Sequence, residues 1–392
     1  MNTTSFIRYC LLPACLAATV GFAQEPSTNA PVEPPQPKRI LRVLNWSDYI
    51  DVDDSLPETL PMEQRSPTLQ AFAKQYDCTV EYHEYEDFED FVSQFVNLTE
   101  FYDVLVLSCN NAQAIVDMGA LMEIPSTKVP NLRYIDEEER TSPPDPEGNY
   151  LIPYLSDYTG LLFRSDIINP EDATWANYFN PPERWIGHIG AYDSSAIMFA
   201  AAAIANGVKD YSRISTKQVE AARQTLQAFF QKASPALLNY TSTEERLEAK
   251  EIWIVPAYSP DANHLLTTHE NLQFVIPPEG AEYYRDYLVV PRFTPVPDLA
   301  LEFINFILNP EVSGRIAAYL GASVPSAEAR AVQNRISPPV IPLPVDSEGH
   351  LLARMQITYN LHPNLQAYWL EILQQDSPSP PPMDSDPISD VE

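Results

Sequence analysis

Apolar and polar residues follow two rhythms along this chain, one suited to strands and one to helices. Ile40-Leu-Arg-Val-Leu-Asn-Trp46 and Cys78-Thr-Val-Glu-Tyr82 read as strands, and Tyr102-Asp-Val-Leu-Val-Leu107 is the nearly unbroken apolar run of a strand buried on both faces. Between them, Ser66 to Tyr76 reads as a helix. Asp87 to Asn97 does too, with apolar residues at 88, 91, 92 and 95, and Asn110 to Met118 is a third. Further on, helices are predicted over Met198 to Ala205, Lys217 to Lys232 and Leu299 to Leu308, and strands over Ile252 to Val255 and Tyr284 to Val290. Strand–helix alternation of this kind predicts an α/β fold with parallel sheets. Ligands in such folds sit beyond the carboxyl ends of strands. Trp46-Ser-Asp-Tyr49, Ser108-Cys-Asn-Asn111 and Tyr258-Ser-Pro-Asp261 fall at those ends.

The two ends of the chain lack this rhythm. Arg8 precedes the apolar run Tyr9 to Ala23, and Gly21 and Ala23 supply small residues before a cut. That is a signal peptide, 1–23, and it implies export. The rival, lipoprotein processing at Cys15, would leave too short an apolar stretch. Residues 24–38 are a Pro-rich linker. Residues 376–392, with five acids, five prolines and no base, read as a disordered acidic tail. The folded body is therefore about 39 to 375.

Composition narrows the function. With 24 basic and 54 acidic residues the formal charge is −30, which repels phosphate backbones and argues against nucleic-acid binding. Glycine is scarce at 11 residues, and no GxGxxG or P-loop motif occurs. The six histidines (83, 188, 264, 269, 350, 362) are scattered, and neither GxSxG nor HExxH is present, so an enzyme is not expected. The acidic stretch 81–90 has no metal-loop spacing and reads as a solvated face. Export would remove Cys10 and Cys15. The remaining Cys78 and Cys109 cannot build a four-ligand zinc site alone. Export permits a disulfide, but their placement at opposite sheet edges predicts two free thiols. No cofactor and no metal are expected.

Leu44-Asn-Trp-Ser-Asp-Tyr-Ile50 resembles the start of the bacterial periplasmic polyamine-binding proteins, the spermidine/putrescine receptors of ABC importers. The likeness continues in order through Tyr102 to Ser108, Gly119 to Ile124, Ile152 to Leu155, Tyr158 to Gly160, Ala257 to Asp261, Val275 to Gly280, Asp286 to Pro291 and Phe303 to Val312. It implies a two-lobed periplasmic binding protein fold (type II-like) with the ligand cleft between the lobes. Lobe one would take 39–151 plus 283–331, and lobe two 152–282 plus 332–375. It further implies a monomeric periplasmic receptor that hands a polyamine to an inner-membrane ABC permease. The same fold binding another small cation or solute, or a polyamine sensor without transport, are the alternatives.

A polyamine needs spaced carboxylates for its ammonium groups and aromatic faces for its methylenes. By the resemblance, Asp261 and Asp286 are ligand carboxylates, Trp46, Tyr49, Tyr258 and Tyr284 are cleft aromatics, and Ser47 and Ser108 are polar contacts. Plain structural readings stand beside these: a core Trp for Trp46, helix caps for Ser47 and Asp48, a helix-terminus acid for Asp261, an internal salt bridge for Asp286. Tyr284 and Asp286 share a strand face, so Arg285 should point the other way. Two departures mark this chain. Ala196 and Ile197 stand where the resembling proteins carry an acid, leaving Asp193 nearby as a structural residue. Gly321-Ala-Ser323 stands where they often carry a tyrosine.

Overall fold

The computed structural model describes residues 38–86, 88–96, 101–238, 240–341, 355–357 and 364–376. The expected signal peptide, all of the linker but Lys38 and all of the acidic tail but Asp376 lie outside the described residues, as do Cys10, Cys15, His350 and His362.

Ten strands form: β1 Arg39–Trp46, β2 Cys78–Tyr85, β3 Val104–Ser108, β4 Ile152–Arg164, β5 Gly190–Tyr192, β6 Ala236–Leu238, β7 Ile254–Tyr258, β8 Leu272–Val275, β9 Ala281–Val289 and β10 Met355–Ile357. Eight of them make one sheet ordered β2-β1-β3-β9-β4-β7, with β8 against β4 and β10 against β9, while β5 and β6 pair separately. β1 runs parallel to β2 and β3. The expectation of parallel pairing also holds for β10 on β9 and for β5 with β6, but it fails for the other pairs of the large sheet. β9 is antiparallel to both β3 and β4, and β7 and β8 are antiparallel to β4. The apolar run in β3 signals burial on both faces, which every residue of that strand shows. It carries no information about the direction of a partner more than 170 residues away.

β4 and β9 organise the molecule. All 13 residues of β4 are buried, so both of its faces are covered. Different cores do this at its two ends. One core gathers Leu41, Val43, Phe72 and Val104 with Ile152 and Leu155 from the start of β4 and Leu288 from the end of β9. Another gathers Trp175, Tyr178, Met198, Phe229 and Trp369 with Leu161 and Phe163 from the end of β4. The fold is thus α/β and two-lobed, with β4 passing from one core to the other and β9 paired along it.

The helices follow their caps. Ser66 accepts the Leu69 N–H at 3.2 Å and starts Pro67–Tyr76. Ser215 and Gln218 form a reciprocal capping box at the head of Thr216–Ala233. Cys78 opens β2, and Cys109 opens the helix Cys109–Asp117 just after β3. The two buried free thiols therefore lie at opposite ends of parallel strands.

Gly160 sits where β4 takes β8 alongside. A Cβ there would lie 2.3 Å from the Phe274 ring and 2.6 Å from the Val275 carbonyl oxygen. Gly160→Ala is expected to destabilise the protein by about 1–3 kcal/mol through overpacking, seen as a lower urea midpoint at unchanged slope. An unchanged midpoint would show that this crossing has slack.

Candidate functional site

The carboxyl ends of β1, β3 and β7 converge on the middles of β9 and β4. Ser108, the last residue of β3, pairs with Asp286. Tyr258, the last of β7, pairs with Thr159 on β4. Between them Asp157 of β4 pairs with Tyr284 of β9. Cross-strand partners share a face, as do residues two apart. Asp157, Tyr284 and Asp286 therefore look out on the same side of the sheet.

Asp286 is 4% exposed. The Tyr49 hydroxyl donates to its Oδ2 at 2.7 Å, and the Trp46 indole also favours its charged form. Burial nonetheless pushes the Asp286 carboxyl up to about 7. Asp261, half-buried in the first turn of Ser259–Leu266, is likewise pushed up to about 7 by burial. It forms no hydrogen bond among the described residues that would mark it as a cap. Burial also holds the Tyr49 phenol well above its usual range, so it stays a donor.

The loop carrying Trp46 and Tyr49 is fixed by a residue the sequence reading did not single out. Asn45, buried at the end of β1, accepts the Trp46 N–H at 2.8 Å and donates to the Tyr49 carbonyl at 3.1 Å and the Tyr82 hydroxyl at 2.7 Å. Tyr154 donates to the same Tyr49 carbonyl at 3.0 Å and meets the Tyr49 ring edge-on at 5.7 Å. Trp46 packs on Tyr85 at 4.3 Å. On the other side Tyr192, Tyr258 and Tyr284 form an edge-to-face series at 5.6 and 5.3 Å. Tyr192 also escaped notice, because it reads as an ordinary strand-end residue.

Ser47 is exposed in the turn, its hydroxyl 3.4 Å from the Tyr85 carbonyl oxygen. No helix starts there, so the cap reading fails for it and for Asp48. The latter is exposed at φ 54° and donates its N–H to Glu84. Arg285 turns to the opposite face, as expected. There it pairs with Glu139 and donates to the Ser142 hydroxyl at 2.5 Å. Asp193 accepts the Trp369 indole N–H at 3.1 Å, a structural role. Ile197 is buried.

Asp157 was not anticipated at all. It is 1% exposed. Burial first, then the charge of Asp286, raises its carboxyl well above the usual range, against the backbone of Ser323 and the Ser259 hydroxyl. The two buried basic side chains among the described residues, Arg164 and Arg285, are committed to Asp166 and Glu139. The site thus joins three buried or half-buried acids to aromatic rings, with no protein cation to balance them. The acids do not converge: no group of three His, Cys, Asp or Glu side chains among the described residues could hold a metal ion.

This fold, with its candidate site on β4 and β9, is that of a two-lobed binding protein. Residues 68–335 match the family of bacterial extracellular solute-binding proteins, and the chain belongs to that family. Its members are solute receptors that act outside the cytoplasm. The chain is 24% identical over 307 residues to the putrescine/cadaverine-binding protein of Pseudomonas aeruginosa, covering 74% of this chain and 80% of that protein. It is 26% identical over 294 residues to the spermidine/putrescine-binding periplasmic protein of Salmonella typhimurium, covering 74% and 78%. A solved structure, the putative spermidine/putrescine ABC transporter protein from Listeria monocytogenes, superposes with a TM-score of 0.68 at 21% identity. It covers 86% of this chain and 99% of that one, and so shows a shared fold.

A carboxyl group with a higher pKa folded than unfolded keeps its proton in the folded state from about pH 4 to about 7. Its contribution to stability is present below about pH 4 and is lost as pH rises through about 7. Asp286→Asn should therefore gain stability over the ligand-free parent as pH rises, by up to about 1.4 kcal/mol per unit in that window. Denaturant midpoints of both proteins across the range test it. A constant difference would show that Asp286 titrates normally.

Proposed function

We propose that this protein is a periplasmic receptor that captures a linear polyamine and presents it to an inner-membrane ABC permease. The observation that carries this reading is the row of acids Asp286, Asp157 and Asp261 beside aromatic rings, while the buried cations among the described residues, Arg164 and Arg285, are paired elsewhere. A metal would want convergent ligands. A sugar could donate hydroxyls to carboxylates but carries no positive charge to balance several buried acids. An alkyl chain bearing ammonium groups wants spaced carboxylates and π-faces, each cation–π contact contributing roughly 0.5–2 kcal/mol. The named ligands of its relatives, putrescine, cadaverine and spermidine, are of this kind.

In this reading Asp286 and Asp261 hold ammonium groups, Trp46, Tyr49, Tyr258 and Tyr284 flank the methylenes, and Ser47 and Ser108 add polar contacts. β4 and β9 are the crossing segments. Lobe one then comprises about 39–151 with 283–331, and lobe two 152–282 with 332–375. One adjustment is needed, because the helix Ala327–Ile336 runs through the limit at 331 and its Ala329 belongs to the first core. The crossing belongs after this helix. The receptor works as a monomer, without cofactor, catalysis or nucleic acid.

Calorimetry of the purified protein against putrescine, cadaverine, spermidine and agmatine tests this. At least one should bind saturably, with proton release near pH 7 as the cation draws the raised carboxyls into their charged forms. Asp286→Asn leaves the ligand cation without its buried partner, a loss of about 3–5 kcal/mol, so binding should weaken roughly a hundredfold or more. Glu58→Gln, on the exposed surface, should change nothing. Failure of every amine to bind the parent protein would end the polyamine reading.

A further inference from the structure

Asp157 is the acid of the fully buried strand β4, where it sits between Ser156 and Tyr158. Its Oδ1 accepts a hydrogen bond from the Ser259 hydroxyl at 3.3 Å. Its Oδ2 is buried and has no hydrogen-bond partner among the described residues. A carboxylate oxygen in that state is costly unless something donates to it. The sheet register sets Asp157 directly opposite Tyr284 and diagonal to Asp286. Ser259, which holds its other oxygen, opens the helix that carries Asp261 two residues on. Asp157 feels the charges of both acids, and the strand register and the Ser259 bond set it beside each. It stands between them.

We infer that Asp157 is the third ammonium-binding carboxylate of the site and that it reads a positively charged nitrogen in the interior of the ligand chain. This rests on the polyamine reading and deepens it. A diamine is satisfied by carboxylates at its two ends. If only methylenes crossed the middle, Asp157 would stay buried with an open oxygen. A secondary ammonium there donates to Oδ2 and balances the third acid. The position follows from the strand register, and it introduces an acid into a chain that carries Ala196 and Ile197 where an acid was expected.

The test uses spermidine and diaminooctane, which have the same length between terminal nitrogens and differ by one inner ammonium in place of one methylene. The parent protein should bind spermidine tighter by roughly 10- to 100-fold, the worth of a hydrogen bond to a charged group. Asp157→Asn should shrink that ratio to about threefold or less, mostly by weakening spermidine. Its thermal midpoint without ligand should hold or rise, since the change removes an unanswered buried carboxylate. Asp157→Ser is a second variant that shortens the side chain and should collapse the ratio in the same way. If the parent binds amines and the ratio survives both substitutions, the inference is wrong while the polyamine reading stands. Equal weakening of both ligands with a lowered midpoint would make Asp157 a structural residue and also overturn it. If the parent binds no amine, both readings fall together.

Discussion

Charge buried on a strand pair that is covered from both sides is the constraint around which this molecule is arranged. β4 and β9 have no solvent-facing side on which to place a polar residue cheaply, so each polar side chain needs an internal answer. On one face the protein supplies it: Arg285 is met by Glu139 and Ser142. On the other face the hydroxyls that reach Asp286 and Asp157 are neutral donors. Tyr49 reaches Asp286, and Ser259 reaches Asp157. A neutral hydroxyl satisfies a lone pair without balancing a charge, and the carboxyls respond by holding protons. The asymmetry between the two faces separates scaffold from site more sharply than any pattern of conserved motifs could.

The donors around the acids are held in place before any ligand arrives. Asn45 uses its carbonyl oxygen and its amide group at once, tying Trp46, the Tyr49 carbonyl and the Tyr82 hydroxyl to the end of β1. Tyr154 fixes Tyr49 from the first residues of β4. The loop proposed to contact the ligand is therefore anchored to β4. Such preorganisation lowers the ordering cost of binding. It also couples the aromatic side of the site to the crossing strand, so a cation settling against Asp286 acts on the segment about which two lobes would close.

Much of the first lobe was legible in the sequence because its elements are amphipathic in the simple sense. β1 and the helix Pro67–Tyr76 emerge within a residue of the pattern that predicts them. β4 was not legible. It is buried on both faces and so has no alternation, Pro153 is its second residue, and Ser156-Asp157 looks like a break between two short apolar runs. The antiparallel course of β9 was invisible for a related reason, since pairing direction is set by residues far apart in the chain. The candidate site divides along the same line. Asp286, Asp261 and the aromatics were found through their resemblance to a family pattern. Asp157 acts through neighbours brought together by the sheet, and Asn45 ties Trp46 and Tyr49 to Tyr82 on the next strand; neither has a local signature.

The net charge and the buried acids do different work, and only one of them can select a ligand. A formal charge of −30 spread over the chain raises the local concentration of any cation, an effect that salt screens within about 10 Å. It favours sodium, magnesium and an amine alike. The site acids are removed from that screening, and their separation is set by hydrogen-bonded strands rather than by flexible surface side chains. A compact ion can answer one of them at a time. On the polyamine reading, a chain with charges at matching intervals answers them together and covers the rings between them, so that the covalent spacing of charge in the ligand is what the sheet would measure. The fold leaves that spacing open. It is fixed by which residues of β4, β9 and the helix after β7 carry carboxylates, and a single residue such as Asp157 is enough to change it.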